Sequence, residues 1–340
     1  MESITFLLPG LLGSFPGLPK KERPVYPGIE RIISRGSSHH FQGRSYYEDL
    51  CEHFNIEKSD TRDLPIAPLT RLVDGVDRPE GVWVRADPVY LAAGRSGLVL
   101  FPPAKLSLTQ HDAVVLAATL EEVFREKGWA LEVPFTNRWY LRLPHVPAIR
   151  TTEIDYVVGR EIRHFMPEGQ DKDEWITLLN EVQMVLHECD LNLEREKRGL
   201  YPVNSLWFWG AGELPAIITR QWSVVYTDDP VARGLAMLSA TKCPDLPGDI
   251  GILINDQEIR GDVLVASTRL MAYTGDDLEE WLQVISELDN TWFQPVLSAI
   301  SQGRLHALTI DTGEFQIVFD RRSLHKFWRR HRSVVNFLRR

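Results

Sequence analysis

The order of its hydrophobic segments is what most constrains the fold of this chain. Near both ends, short apolar runs of strand length alternate with segments of helical periodicity, as in the strand-like run 2–12 and the helix-like run 28–36. In the helix-like run, Ile29, Ile32 and Ile33 fall on one face before a glycine stop. Strands that alternate with helices predict an α/β fold with a mainly parallel sheet.

The middle of the chain follows a different pattern. Two strand-like runs surround residues 94–97, which predicts a hairpin. Ser107 with Gln110 fits a capping box, and predicts the start of a helix that Gly128 ends. A second long helix is expected over residues 171–198, with apolar residues on one face. This part of the chain therefore predicts an α+β domain.

The boundaries of that domain follow from composition. Residues 59–81 are rich in Pro, Asp and Gly, which predicts a loop region and a domain boundary. We expect residues 1–60 and 216–340 to form the α/β core with a basic C-terminal tail, and residues 61–215 to form the inserted α+β domain.

The location of the protein is predicted from what its segments lack. No apolar run approaches the roughly 18 to 20 residues of a membrane span. The apolar N-terminal stretch has Glu2 where a signal peptide would carry positive charge. The three cysteines, Cys51, Cys189 and Cys243, are odd in number and widely spaced, which favours reduced thiols. We expect a cytoplasmic protein without a membrane span.

Charge is distributed unevenly along the chain. The last 20 residues contain eight Arg or Lys and no acid, whereas the other 320 carry 30 basic against 47 acidic side chains. An acidic body with a basic end is not typical of nucleic-acid binders, so we do not expect nucleic acid as a partner. The basic end, with Trp328, Arg329, Arg330 and Arg332, either docks on the chain's own acidic body or engages a protein partner or anionic surface.

Arginines that follow or lie on apolar strands are candidate ligands for an anion. Arg85 and Asp87 lie at the end of one such strand, and Arg138, Tyr140 and Arg142 share one face of another by period-two alternation. Guanidinium groups grip phosphate or carboxylate through paired hydrogen bonds. The alternative is that these arginines form ion pairs within the protein, such as Arg85 with Asp87.

A glycine-containing stretch, "NSLWFWGAGELP", is the second candidate for anion binding. It predicts a buried strand that feeds a tight turn at Gly210 and Gly212, where glycine permits positive φ or close backbone approach. Asn204 can cap or cross-link loops through its amide. We expect Trp207 and Trp209 to line a pocket beside these glycines and the arginines, although one Gly-x-Gly alone is a weak signal.

Other catalytic and metal motifs are poorly represented. There is no C-x-x-C pair and no H-E-x-x-H helix, so Cys51 with His53 is not expected to form a zinc site. His187 and Cys189, two apart on a predicted helix, point in different directions. Ser96 lies in "GRSG", which is one residue short of a nucleophile elbow and fits a hairpin turn better.

Several longer stretches together resemble a known family. They are "FLLPGLLGS", "PGIERIISRG", "GVWVRADPVYLAAGRSGLVLF", "LNLEREKRGLYPVNSLWFWGAGELP", "WSVVYTDDPVARGLAML" and "FWRRHR". On these stretches the chain resembles the archaeal-type, cofactor-independent phosphoglycerate mutases, and more closely the bacterial regulatory proteins of the RpfE type. The resemblance implies an alkaline phosphatase-like core with an inserted domain.

The resemblance also implies a set of metal ligands that this sequence only partly matches. Mutases of that superfamily hold two divalent ions with carboxylates and histidines, and a Ser or Thr hydroxyl attacks phosphorus between them. Pro9 stands where the first ligand, an Asp, is expected, and residues 271–274 lack the expected Asp and His, although residues 275–277 fit the end of that motif. After the last strand, Asp311 matches an aspartate but Thr312 replaces a histidine.

The sequence therefore favours a mutase-like protein that lacks the metal ligands and acts as a regulatory or small-anion-binding protein. It predicts no catalytic residues, no metal, no cofactor and a small phosphorylated or carboxylated ligand. Two alternatives stay open: an active metal-dependent mutase or phosphomonoesterase with a rearranged site, and an interaction protein that acts through its basic end.

Overall fold

The computed structural model describes residues 1–12, 24–41, 44–95, 97–216, 218–271 and 278–334. Two sequence predictions, Ser96 in a hairpin turn and residues 272–277 of the expected metal motif, lie outside these ranges. Within the ranges, no helix is both long enough and apolar enough to cross a membrane.

The secondary structure of the described residues is numbered along the chain. The strands are β1 (Ser3–Leu7), β2 (Ser37–His40), β3 (Val82–Ala93), β4 (Leu98–Phe101), β5 (Ala130–Phe135), β6 (Arg138–Leu143), β7 (Ile149–Arg150), β8 (Glu168–Gly169), β9 (Ser205–Glu213), β10 (Val224–Thr227), β11 (Asp262–Ala266), β12 (Ala307–Asp311) and β13 (Phe315–Asp320). The helices are α1 (Pro27–Arg35), α2 (Tyr46–Glu52), α3 (Ile66–Asp74), α4 (Gln110–Arg125), α5 (Ile154–Val157), α6 (Lys172–His187), α7 (Asp190–Lys197), α8 (Pro230–Leu238), α9 (Ile250–Ile254), α10 (Leu278–Leu288) and α11 (Gln294–Ser301).

The chain divides into two compact units. The core unit comprises residues 1–56 and 217–340, and the inserted unit comprises residues 57–216. The expected insertion, residues 61–215, starts and ends within a few residues of the inserted unit.

The core unit is built on a six-stranded sheet in the order β10-β11-β1-β12-β13-β2. Its first four strands are parallel, and Phe6 of β1 lies between Val265 of β11 and Ile310 of β12. β12 and β13 form an antiparallel hairpin, and β2 pairs with β13 at the edge of the sheet. The predicted α/β fold with a mainly parallel sheet is confirmed.

The hydrophobic core of this unit follows from the two periodicities in the sequence. Ile29, Ile32 and Ile33 of α1 are fully or almost fully buried, as their spacing on one helical face predicts. Inward-facing side chains of β1 meet the aromatic residues before α11, where Phe6 packs against Trp292 and Phe293 with ring centroids 5.4 and 5.9 Å apart. Burying each such side chain stabilises the fold by roughly 1.5 to 3 kcal/mol.

The inserted unit contains an antiparallel sheet. Its strands run in the order β4-β3-β6-β5, and β9 pairs with β3 on the other side. On one face, Trp139 of β6 and Trp175 of α6 lie in a large apolar cluster, whereas Tyr140 on the opposite face packs with Ala67 and Trp83. The predicted hairpin is present, because the Gly94 N–H donates to the Gly97 carbonyl at 2.7 Å between β3 and β4.

The start of α4 differs from the prediction. The helix is capped by Thr109, whose hydroxyl accepts from the Asp112 N–H at 3.1 Å while the Asp112 carboxylate accepts from the Thr109 N–H. The Ser107–Gln110 capping box was wrong by two residues, because Ser107 adopts a φ of 50° outside the helix. Ser and Thr are both favoured as the N-cap residue of a helix, so residue preferences alone permit a helix start after Ser107 or after Thr109.

The predicted single helix over residues 171–198 is two helices, α6 and α7. The chain turns between them, so that the Asn192 side chain can donate to the carbonyls of Leu186 and Val203 at 2.8 and 2.7 Å. The 59–81 region was also incorrectly taken as a loop throughout, since it contains α3. In both cases the backbone path depends on contacts with residues distant in sequence, and the local composition gives no information about such contacts.

Candidate functional site

The glycine-containing stretch continues as a strand and does not turn. β9 extends through Gly210 and Gly212, so the predicted tight turn was wrong. Its pairing with β3 shifts register there: Trp209 faces Arg85, Gly212 faces Trp83, and two residues of β9 oppose one of β3. Gly210, with a φ of +66°, provides this bulge, since a side chain strongly disfavours that conformation.

A carboxylate of the same unit occupies the backbone donors that the bulge exposes. The N–H groups of Gly210 and Ala211 donate to Oδ2 of Asp63 at 3.1 and 3.3 Å. Thr151 donates to the same carboxylate through its hydroxyl and through its N–H, the latter at 2.7 Å to Oδ1. Burial raises the pKa of Asp63, and these hydrogen bonds oppose the rise. The anion that this bulge binds is therefore an internal side chain, which sequence reasoning missed.

Both glycines also allow a close approach of the chain at the start of α3. A Cβ atom at Gly210 would lie 2.8 Å from Cβ of Ile66, and one at Gly212 would lie 2.9 Å from Cβ of Pro65. Such separations are shorter than carbon atoms tolerate. The glycines are thus explained by packing within the inserted unit.

Arg85 and Asp87 form a buried ion pair beside the bulge. Nε and Nη2 of Arg85 lie 3.0 and 2.7 Å from Oδ1 of Asp87, and Trp209 donates from Nε1 to Oδ2 at 2.8 Å. The guanidinium also lies over the rings of Trp209 and Tyr140, 5.1 and 5.4 Å from their centroids. Burial raises the pKa of Asp87, whereas Arg85 and Trp209 lower it. The structure brings these three predicted residues together, with the arginine facing a carboxylate.

The other predicted arginines have different surroundings. Arg138 donates from Nε and Nη2 to Asp74 at 2.6 and 2.7 Å, and the Tyr140 hydroxyl donates to the same carboxylate at 2.6 Å. Arg142 is exposed and lies over the Trp83 ring at 5.9 Å. The predicted common face of Arg138, Tyr140 and Arg142 is observed, and a carboxylate already engages two of the three.

Asn204 and Trp207 make contacts that hold strands and loops. The Asn204 side chain accepts from the Leu91 N–H at 2.7 Å and donates to the Leu91 carbonyl at 2.9 Å. Trp207 donates from Nε1 to the Thr152 carbonyl at 2.8 Å. The expected cross-linking role of Asn204 is thus visible, and binding of a ligand by any of these residues stays a prediction.

A second candidate site lies at the carboxyl edge of the parallel sheet in the core unit, where ligands of α/β proteins commonly bind. Pro9 follows β1, Asp228 follows β10, and Asp311 ends β12. Asp228 accepts from the Ser267 hydroxyl and the Thr268 N–H at 3.0 and 2.9 Å, which joins the ends of two neighbouring strands.

Asp49 and His53 of the α2 region face this edge, and sequence reasoning did not select them together. His53 Nε2 lies 3.6 Å from Oδ2 of Asp311, and Arg44 lies 3.5 Å from Oδ1 of Asp49. Within the described residues, neither carboxylate oxygen of Asp49 has a hydrogen-bond partner, although the side chain is only 1% exposed. Burial, and then the charge of Asp311, raise the pKa of Asp49 to about 8. No local motif signals this cluster, because Asp311 lies more than 250 residues along the chain from Asp49 and His53.

The described part of the chain does not fit a two-metal site. It contains no group of three or more His, Cys, Asp or Glu side chains placed to hold a metal ion. Pro9 offers no donor side chain, and the Thr312 hydroxyl accepts from the Phe315 N–H and donates to the Phe315 carbonyl, both at 3.1 Å. Thr312 therefore closes the β12–β13 hairpin.

The basic end of the chain lies against β2 within the core unit. Arg329 donates to the Gly36 carbonyl, and the Arg332 N–H donates to the Ser34 hydroxyl at 2.8 Å. A cleft of about 650 Å³, called here the basic cleft, is lined by Ser34 and residues 37–39 and 329–332. Trp328 is 70% exposed.

No family model matches this chain. It is 28% identical over 165 residues to the 2,3-bisphosphoglycerate-independent phosphoglycerate mutase of Methanothrix thermoacetophila, over 47% of this chain and 41% of that protein. The probable enzyme of that name from Geobacter sulfurreducens is 23% identical over 165 residues, 43% of this chain and 41% of that protein. The matched part thus spans about two fifths of the curated relatives' own length.

Among solved structures, the PH0037 protein from Pyrococcus horikoshii has a TM-score of 0.54 at 14% identity, over 94% of this chain and 87% of that one. The cofactor-independent phosphoglycerate mutase from Thermoplasma acidophilum has a TM-score of 0.48 at 20% identity, over 94% and 89%. The likeness to PH0037 shows a shared fold, and the sequence matches show a relationship to the mutases at low identity. The fold class is thus mixed α/β with a largely parallel sheet in the core unit, a fold that the chain shares with PH0037.

Proposed function

We propose that this phosphoglycerate mutase-like protein binds a small phosphorylated or carboxylated anion in a regulatory role and does not transfer phosphoryl groups with metal ions. The relationship to proteins named as phosphoglycerate mutases supports the ligand class. The carboxyl edge of the core sheet supports the loss of metal-dependent catalysis.

One observation carries the proposal: the two strand ends at the centre of the sheet have side chains that cannot serve a two-metal reaction. Pro9 after β1 has no donor, and Thr312 after β12 uses its hydroxyl within the hairpin turn. Two metal ions stabilise the attacking and leaving oxygens together, so a ligand set cannot be thinned far without losing the reaction. A retained fold without these ligands is suited to binding.

The finer identity is also proposed. The stretches quoted above, including "FWRRHR" at residues 327–332, favour a regulatory protein of the RpfE type that acts in the cytoplasm. Anion binding would then be the signal that the protein senses, and a partner would read it.

A second candidate function, an active metal-dependent mutase or phosphomonoesterase, is favoured by one cluster. Asp49, His53 and Asp311 bring two carboxylates and an imidazole to the carboxyl edge of the sheet. Carboxylates and imidazole are ligands for divalent metals, and the carboxylate oxygens of Asp49 have no hydrogen-bond partner within the described residues. As they stand, the three side chains are not placed to hold a metal ion together, so this function needs them to move on metal binding. A rearranged site of this kind would use residues other than those the resemblance implies.

Metal analysis joined to a mutase assay separates the two candidates. The purified protein is incubated with manganese or magnesium, its bound metal is counted, and conversion of 3-phosphoglycerate to 2-phosphoglycerate is followed. We expect no stoichiometric metal and no turnover, with the Methanothrix enzyme as the positive control. Bound metal and turnover that both disappear in Asp49→Asn would establish the enzyme instead.

The binding role has its own measurement. The melting temperature is followed while 3-phosphoglycerate and other small anions are added, because a ligand that binds only the native state raises it. We expect at least one phosphorylated or carboxylated anion to raise it. The absence of a shift with all of them would contradict the proposal.

A further inference from the structure

The structure points to a specific anion site in the core unit. We propose that the basic cleft binds a small molecule carrying two or more phosphate groups, which deepens and rests on the binding role proposed above. The cleft is distinct from the carboxyl edge of the sheet and from the Arg85 and Arg138 clusters of the inserted unit.

The arginine-bearing segment is held in place by contacts with the body of the core unit. The Arg332 N–H donates to the Ser34 hydroxyl, and Arg329 donates to the Gly36 carbonyl. Val334, which follows, is 2% exposed and belongs to the hydrophobic core of this unit. The cationic side chains are therefore presented from a fixed backbone, which lowers the entropy that a ligand must offset on binding.

The charge of the lining is of one sign. Three arginines, two histidines and three serines line the cleft, and no carboxylate is among the lining residues that the structure describes. The carboxylate of Glu30 lies near this segment, with its Oε2 3.1 Å from Nε2 of His331. The Glu30 side chain is only 2% exposed and does not line the cleft. The rest of the chain is strongly acidic, so this concentration of positive charge is exceptional. Arginine forks and serine hydroxyls are donors that match phosphate oxygens.

Arg330 is the residue best placed to meet a ligand. No carboxylate lies within 4.0 Å of its guanidinium among the residues that the structure describes. Arg329 is engaged through a neutral carbonyl, so its charge is also not balanced by that contact. By contrast, Arg85 and Arg138 each face a carboxylate at 2.7 and 2.6 Å. Among the described residues, Arg329 and Arg330 of the cleft are thus not paired with a carboxylate, unlike Arg85 and Arg138.

The size and the polarity of the cleft select the ligand class. A volume of about 650 Å³ is in the range of small-molecule sites and larger than one phosphate needs. The described part of its lining contains arginine, histidine and serine but no apolar side chain, so it offers little to an apolar ligand body. A compact polyphosphate uses both the charge and the space.

The test is titration calorimetry on the full chain with pyrophosphate, tripolyphosphate and inorganic phosphate at physiological salt. We expect binding that strengthens from phosphate to pyrophosphate to tripolyphosphate. Arg330→Gln is expected to weaken pyrophosphate binding roughly ten- to a hundred-fold, the range of one charge-assisted hydrogen-bonded contact. Arg330→Lys, which keeps the charge and loses the fork, should fall between the wild type and Arg330→Gln.

Arg322→Gln is the matched control. Arg322 is exposed, lies in the same basic segment and does not line the cleft. Its removal costs the same formal charge and should change pyrophosphate affinity less than two-fold, by roughly the screened long-range effect alone. Equal weakening by Arg322→Gln and Arg330→Gln would mean nonspecific attraction and would overturn the site.

Other outcomes separate this site from the broader binding role. If anions bind with unchanged affinity in Arg330→Gln, the cleft is the wrong site while the proposed binding role stands. If no anion binds the wild type, both proposals fail. Phosphatidylcholine vesicles containing a phosphoinositide are tested in parallel, and binding to these vesicles without binding to soluble polyphosphates would overturn the small-molecule assignment. Unchanged circular dichroism shows that each variant is folded.

Discussion

Replacing Arg85 by Met tests whether the buried ion pair beside the β9 bulge is structural. The change removes the guanidinium that contacts both oxygens of Asp87, at 2.7 and 2.9 Å from Nη2. The Asp87 side chain is 1% exposed, so water cannot replace the lost partner. Asp87 must then remain charged in an apolar site or take up a proton. Both outcomes destabilise the native state.

The free energy of protonating Asp87 sets an upper limit on the stability that the Arg85→Met variant loses. An ordinary Asp has a pKa near 3.9, and one pKa unit corresponds to about 1.36 kcal/mol. Keeping Asp87 protonated at pH 7 therefore costs about 4 kcal/mol, which agrees with roughly 3 to 5 kcal/mol for breaking buried ion pairs. At pH 5 the same calculation gives about 1.5 kcal/mol.

The pH dependence has a definite sign. Burial raises the pKa of Asp87, and in the variant the opposing charge of Arg85 is gone. The native state of the variant then binds a proton that the unfolded state has released. The variant is therefore expected to lose stability, relative to wild type, as pH rises from about 4 towards 7.

Urea denaturation followed by tryptophan fluorescence at pH 5, 6 and 7 measures the effect. The double variant Arg85→Met/Asp87→Asn should recover most of the loss, because no buried charge remains and the Asn carbonyl can accept from Trp209. A loss below about 0.5 kcal/mol at pH 7, with no benefit from the second substitution, would refute the reasoning. If, in addition, 3-phosphoglycerate raised the melting temperature of the wild type but not that of Arg85→Met, Arg85 would be a ligand-binding residue.

Three further predictions concern other positions. Burial raises the pKa of Asp49 to about 8, so at pH 9 the native state holds a buried charge that destabilises it. Asp49→Asn should therefore raise the melting temperature at pH 9 and leave it nearly unchanged at pH 4. A shift of equal size at pH 4 would contradict this explanation. Gly210→Ala should cost about 2 to 4 kcal/mol in urea denaturation, because positive φ adds to the clash with Ile66, whereas Gly128→Ala, with positive φ and open space, should cost about 1 to 2 kcal/mol. Trp328→Ala should leave thermal unfolding unchanged because the side chain is 70% exposed, and a large drop would show that it packs in the native state.

Much of the fold could be predicted because its pattern is local. The spacing of Ile29, Ile32 and Ile33 indicates both a helix and its buried face, and the structure has both. The strands of the core unit are short apolar runs between helices, a pattern that few arrangements other than a parallel sheet can bury. Even the face shared by Arg138 and Arg142 follows from the two-residue period of a strand.

The candidate site was only partly predictable. Pro9 and Thr312 were identified as departures from the implied ligand set, since that comparison needs only residue identity. Asp49 and His53 could not be joined to Asp311 in the same way, because more than 250 residues of chain separate them. Folding of the sheet brings these three residues together, and no periodic pattern in the sequence indicates that contact.

The alternation of strands and helices, the positions of the glycines and the uneven charge can all be read from the order of the residues. What those features do depends on the contacts made in the folded protein. Gly210 and its neighbour could have offered their N–H groups to a ligand, but Asp63 approaches from almost 150 residues away and accepts from them. The basic end could have extended from the body, but a buried Val334 holds it beside β2. A buried polar group forms hydrogen bonds with whichever partners the fold brings near it. Local sequence does not show which residues those partners are.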